Sequence, residues 1–174
     1  ISMLALRDVE IAMTTNGVLL PRYAPALSAA GLNRVTVSLD AIDEATFAKI
    51  TDSGHTVASV MAGIEAAESV GLGPIKINTV VFKNFNENEL VNLINWTNSR
   101  NIDLTFIEVM PMEETNIPRD LQFVPLDTTY KKLNKTFNFY TSKHSTGGPA
   151  KYYESKILNN KIGFITPLTN NFCA

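Results

Sequence analysis

The stretch Arg34-Val35-Thr36-Val37-Ser38-Leu39-Asp40 leaves little freedom about what this chain can become. Apolar and polar side chains alternate without a break. Val35, Val37 and Leu39 therefore share one face of an extended strand, and Thr36, Ser38 and Asp40 share the other. β-branched residues at that spacing favour a strand over a helix. The alternation stops at Ala41-Ile42, after which Asp43 can cap a helix and Glu44 suits its first turn. A strand ending in a hydroxyl and a carboxylate, with a helix starting at once, is how parallel α/β proteins bring polar chemistry to the carboxyl edge of the sheet.

The same alternation of elements runs through the first two thirds of the chain. Ser2 to Arg7 reads as the end of a helix and Val9 to Met13 as a short strand, with Thr14-Thr15-Asn16-Gly17 as the loop after it. Leu20 to Ala30 is a helix stopped by Gly31, which suits a left-handed C-cap. A short helix covers Asp43 to Ile50, and Asp52-Ser53-Gly54-His55 is turn chemistry. Thr56 caps a longer helix, with Val57, Val60, Ile64, Ala67 and Val70 at helical spacing and Gly71 at its end. Ile75 to Val81 is a third strand, Asn86 to Arg100 an amphipathic helix, and Leu104 to Val109 a fourth strand. No hairpin signal separates the strands, so the pattern argues for a parallel sheet with helical crossovers. Its two homes are a (β/α) barrel, whole or partial, and an open doubly wound sheet. No Gly-x-Gly-x-x-Gly follows any strand, which weighs against a dinucleotide-binding fold. From Met112 the character changes to a loop, a helix over Thr128 to Phe137, and short β-like pieces at Asn138 to Thr141, Lys151 to Tyr153 and Ile162 to Ile165. This part reads as an extension leaving the βα units.

With 174 residues the chain is long enough for a real core. A net charge of −2 removes any general pull toward nucleic acid or an anionic membrane surface. No apolar run approaches the roughly 18 residues that span a bilayer, and no signal peptide is visible. A single cysteine excludes an internal disulfide, and a reducing cytoplasm is the default compartment. The chain opens without methionine and stops at Asn171-Phe172-Cys173-Ala174 with no closing element, so an internal piece of a longer protein is expected.

Each strand carries groups that do not belong in an apolar core. The first leads to Thr14 and Asn16, the second ends at Ser38 and Asp40, the third holds Lys76 and Asn78 on one face, and the fourth ends at Glu108, followed by Met110. If the strands are parallel, these groups gather at one rim. An unpaired buried ammonium costs several kcal/mol, so Lys76 needs a carboxylate, an anionic ligand or water. The structural alternative is that Lys76 pairs with Asp40 or Glu108 inside a polar barrel. Four strands with the same signature favour a small-molecule site for a ligand with at least one anionic group. His55 and His144 lack partners at catalytic or ligand spacing and read as surface residues, Trp96 reads as core, and Cys173 alone reads as a small buried hydrophobe. Gly147-Gly148 is no phosphate loop, because no helix or Lys-Ser/Thr follows it.

Five stretches, in this order, resemble the radical S-adenosylmethionine (SAM) enzymes that cyclise GTP in the first step of molybdenum-cofactor synthesis. They are Thr14-Thr15-Asn16-Gly17, Val35 to Asp40, Ile75-Lys76-Ile77-Asn78-Thr79-Val80-Val81, Phe106-Ile107-Glu108-Val109-Met110, and Ile162-Gly163-Phe164-Ile165-Thr166-Pro167 running into Phe172-Cys173. The last two are the most specific. The resemblance implies a partial (β/α) barrel of the radical SAM type over residues 1–111, holding the later βα units only. Residues 112–174 are then a C-terminal extension with short strands that leads to a second iron–sulfur cluster. It implies that Ser38 and Met110 lie against SAM, that Thr14 and Lys76 contact GTP, and that Cys173 is the first of three ligands to a second [4Fe–4S] cluster. A radical made from SAM would remove a hydrogen from the GTP ribose, and the ribose carbon would attack the base. A cytoplasmic homodimer, passing its product to the next molybdopterin enzyme, is part of the same expectation.

Several of the resembled features are missing from this sequence. The cysteine motif of the SAM-cleaving cluster, the Gly-Glu-Pro segment that clamps SAM, and the cysteines expected beyond Cys173 are absent, so the piece alone is expected to be inactive. Thr105 stands where many relatives have arginine. Two other readings remain open from sequence: a radical SAM enzyme with another substrate, and a catalytically dead nucleotide-binding half-barrel.

Overall fold

A computed structural model describes residues 1–110, 122–146 and 148–167. The chain forms two compact units, Ile1–Ile77 and Asn78–Ala174. Both are mixed α/β, as the alternating pattern predicts.

The first unit contains α1 (Ser2–Ala5), β1 (Ala12–Thr15), α2 (Leu20–Ala29), β2 (Arg34–Ser38), α3 (Glu44–Thr51) and α4 (Val57–Ser69). β1 and β2 are parallel. Val35, Val37 and Leu39 are buried as the alternation requires, and Ser38 is exposed. The first strand lies later than expected, at Ala12–Thr15 instead of Val9 to Met13. Its register against β2 begins at Ala12↔Arg34. Ahead of it, Ile11 N donates to Asn33 Oδ1 at 2.7 Å and exposed Glu10 pairs with Arg34 at 2.9 Å. Pairing, not local apolar content, therefore sets the strand, and Thr14 becomes a strand residue.

The helices start where their caps dictate. Asp43 Oδ2 accepts from Thr46 N at 2.8 Å and from Thr46 Oγ1 at 2.9 Å, so α3 begins at Glu44. These bonds hold the Asp43 carboxyl below its ordinary pKa. Thr56 and Ser59 form a capping box at the start of α4. A second carboxylate reaches in from α3, where Glu44 Oε2 accepts from Val57 N at 3.1 Å. Helix α4 lies against the loop after β1 at Gly63. A Cβ there would sit 2.0 Å from the Gly17 carbonyl oxygen, so no larger residue fits. Gly17 itself adopts φ +82°, a conformation that L side chains rarely take.

β3 (Lys76–Val81) runs across the boundary between the units. The second unit continues with α5 (Leu90–Ser99), β4 (Asp103–Glu108), α6 (Leu126–Phe137), β5 (Tyr140–Thr141), β6 (Lys151–Glu154) and β7 (Ile162–Ile165). Here the strand order is β4-β7-β6-β5, with β4 and β7 parallel and the other two pairings antiparallel. The piece at Ile162 to Ile165 thus returns to lie beside β4. Gly163 is cramped by its neighbours, because a Cβ there would meet Thr105 Oγ1 and Tyr152 Cε1, both at 3.0 Å. On the other face, Phe106, Phe164, Tyr153 and Tyr130 make successive ring contacts beneath α6.

Three sequence expectations change in this unit. Helix α5 begins at Leu90, not Asn86. Asn86 is buried, accepting from Phe82 N and donating to Val80 O at 2.8 Å each, which folds the chain back before the helix starts. Trp96 is half-buried, with Arg100 5.4 Å over its ring, while Leu90, Leu93, Ile94 and Thr97 supply the buried face. His144 is half-buried and not wholly on the surface. Its ring packs edge-on to Tyr152 at 4.8 Å, and its buried Nε2 lies 3.8 Å from Asp103 Oδ2. His55 is exposed, as expected. No described helix is long and apolar enough to cross a membrane.

Candidate functional site

The carboxyl ends of β1 and β2 bring two of the expected residues together. Thr14 is opposite Thr36, and Ser38 lies two residues beyond Thr36, so Thr14 and Ser38 emerge on the same face of neighbouring parallel strands. Both are exposed, and neither hydroxyl is engaged by another described residue. The loop beyond is held by its own side chains. Thr15 Oγ1 accepts from Gly17 N at 3.1 Å and Asn16 Oδ1 accepts from Val18 N at 3.3 Å. Thr15 and Asn16 therefore shape the turn and leave the Thr14 hydroxyl free to face a ligand.

Lys76 is the first residue of β3 and is half-buried. Its ammonium makes no ion pair among the described residues, so pairing with Asp40 or Glu108 is not how it is accommodated. Two residues on along the same strand face, the buried Asn78 Oδ1 also lacks a hydrogen-bond partner among the described residues. A cation and a carbonyl oxygen without protein partners are what a polar ligand or water would satisfy.

Glu108 closes β4 with 1% of its surface exposed. Its Oε1 accepts from Leu126 N at 3.1 Å, at the start of α6. The residue before that helix is Pro125, whose side chain offers no cap, so the strand supplies the anion that the helix terminus favours. Glu108 therefore has a structural partner that sequence reasoning missed. The signal was Pro125 itself, since a buried helix start without a capping side chain must borrow one. Beyond Glu108, Val109 is buried and Met110 is 57% exposed. Cys173 lies outside the described residues, as do Gly147 and the stretches 111–121 and 168–174. Among the described residues no three His, Cys, Asp or Glu side chains cluster as metal ligands.

A separate cleft in the second unit is lined by Asp127, Tyr130, Lys151, Tyr153, Phe164 and Thr166. Burial raises the pKa of the Tyr153 phenol, with Tyr130 and Asp127 adding to the shift. At about 200 Å³ it is smaller than the roughly 300–1,000 Å³ usual for small-molecule sites. The strand ends remain the better candidate.

Comparison with known proteins fits that geometry. The description "Radical SAM superfamily" matches residues 1–97, more than half of the chain. The chain belongs to the radical SAM superfamily. A second family, "Molybdenum Cofactor Synthesis C", matches residues 102–174. Among individual relatives, a GTP 3',8-cyclase of Bradyrhizobium diazoefficiens is 44% identical over 164 residues, 94% of this chain and 47% of that protein. The GTP 3',8-cyclase of Paracoccus denitrificans is 47% identical, again over 94% of this chain and 47% of its own length. That of Erythrobacter litoralis is 44% identical over 95% and 49% respectively. The chain spans about half the length of these curated relatives. Thr14, Ser38 and Lys76 all fall inside the superfamily match, and Met110 and Cys173 inside the second.

Proposed function

We propose that this chain is the later part of a GTP 3',8-cyclase, with residues 1–111 as partial barrel and 112–174 as the extension toward a second cluster. The observation that carries the proposal is identity of 43–47% to such enzymes over about 94% of the chain. Ser38 and Met110 would hold SAM, and Thr14 and Lys76 would hold GTP. The hydroxyls of Thr14 and Ser38, free among the described residues, suit two polar ligands side by side, and the Lys76 ammonium, unpaired among the same residues, suits a phosphate oxygen. SAM, when bound, would supply the hydrogen-abstracting radical. The chain's own contribution is to orient and to neutralise charge: Lys76 offsets triphosphate charge while the strand-end hydroxyls fix the ligand register. Cys173 is the proposed cluster ligand of this chain. The described residues hold no further set that fits an iron–sulfur cluster, and no step is assigned through one. A cytoplasmic homodimer that hands its product to the next enzyme of the molybdopterin route completes the proposal.

The test is isothermal titration of GTP and SAM into the protein extended to its relatives' full length. Lys76→Ala removes a hydrogen bond to a charged group and is expected to weaken GTP binding by roughly tenfold or more, with SAM affected less. Ser38→Ala should reverse that order. Equal losses on both ligands from Lys76→Ala would mean that Lys76 serves the fold and not the substrate.

A further inference from the structure

We infer that Glu108 is a positioning residue for Met110. The carboxylate of the last residue of β4 caps α6, so the end of that strand and the start of that helix are tied at one point. The described residues on either side of that bond are held by burial. On the outgoing side Val109 is buried, and on the returning side Val124 and Leu126 are buried. A second tie holds the return leg, where Lys83 N donates to Gln122 O at 2.8 Å. Met110 stands one residue past Val109 with its side chain exposed. A flexible thioether has three rotatable bonds and positions a ligand only if its backbone is held. Glu108 does the holding, because its carboxylate ties the strand end two residues before Met110 to the start of α6. This inference rests on Met110 facing SAM, the reading proposed above.

Three properties favour a positioning role over simple core packing. Glu108 is charged and almost wholly buried, and such a group persists where specific donors meet it. Its partner is a helix N-terminus that has no side-chain cap of its own. The bond also joins residues eighteen apart in sequence, across the one segment that carries Met110.

The experiment uses the full-length protein with Glu108→Ala and Glu108→Gln. Glutamine keeps an accepting oxygen at the same reach and loses the charge; alanine loses both. By amide hydrogen exchange, Glu108→Ala is expected to speed exchange at Leu126 by roughly tenfold or more, and Glu108→Gln much less. The β4–β7 ladder at Phe106 should keep wild-type protection in both. By titration, Glu108→Ala should raise the Kd for SAM by roughly tenfold with GTP within about twofold, and Glu108→Gln should recover most of the SAM loss. Unchanged exchange at Leu126, equal losses on SAM and GTP, or failure of glutamine to rescue would each overturn the inference. A wild-type protein that binds neither ligand would instead sink the proposed function, and the exchange arm would still decide whether the staple exists.

Discussion

Gly63 has no room for a methyl group. It sits on the buried side of α4, where the Gly17 carbonyl oxygen occupies the place a Cβ would take. Gly63→Ala must push α4 off the loop after β1, and overpacking of this kind costs about 1–3 kcal/mol. Urea unfolding of the variant should show the midpoint falling with little change in slope. Since that loop follows the strand that carries Thr14, the proposed GTP contact, GTP affinity of the full-length protein should fall together with stability. Nothing local in the sequence marks Gly63, because a glycine amid Val60, Ile64 and Ala67 looks like any small residue on an apolar stripe. Lys76 stood out in the sequence as a lysine among β-branched residues, but the choice between a carboxylate partner and a ligand was not legible there; among the described residues it has no ion-pair partner.

Among the described residues three helix starts receive a carboxylate, and two of these carboxylates are borrowed from another element. Asp43 caps its own helix, whereas Glu44 reaches from α3 to Val57 N and Glu108 from β4 to Leu126 N. The Asp43 carboxyl titrates below its unfolded value, so its stabilisation is present above about pH 4 and is lost as pH falls through the folded value. Asparagine caps as well as aspartate but does not titrate. Asp43→Asn should therefore flatten the acid limb of stability as pH falls below about 4, read by urea unfolding at each pH, while leaving the neutral-pH midpoint nearly unchanged. Local caps such as Asp43 and Thr56 were legible, because donor and acceptor lie three residues apart. Borrowed caps were not, since their partners are separated by 13 and 18 residues and only the folded chain brings them together. The same reason explains the other misses. Asn86 folds back on backbone groups, His144 finds Asp103 and Tyr152 from a polar loop, and β7 returns beside β4 through pairing that no periodicity encodes. Alternation within a strand, as in Arg34 to Ser38, needs no distant partner, and it was read to within one residue.

At the scale of the molecule, β1 ends the strand order, and no described strand covers its outer side. It carries none of the usual guards against pairing, neither lysine nor proline. In the same unit Met3, Leu4, Leu6 and Val9 are exposed. The 174-residue chain by itself should therefore self-associate as its concentration rises, and Ala12→Lys, a charge on the exposed edge, should return it toward monomer in sedimentation velocity. A sedimentation coefficient unaffected by the lysine would place the contact elsewhere. Within the second unit, a different consequence follows from the crowding over Gly163. Thr105, Tyr152 and Gly163 come from three strands yet fill a single space. An arginine at position 105, bulkier than threonine, would demand a smaller partner at 152. A change confined to one of these three positions would therefore leave either a collision or a hole.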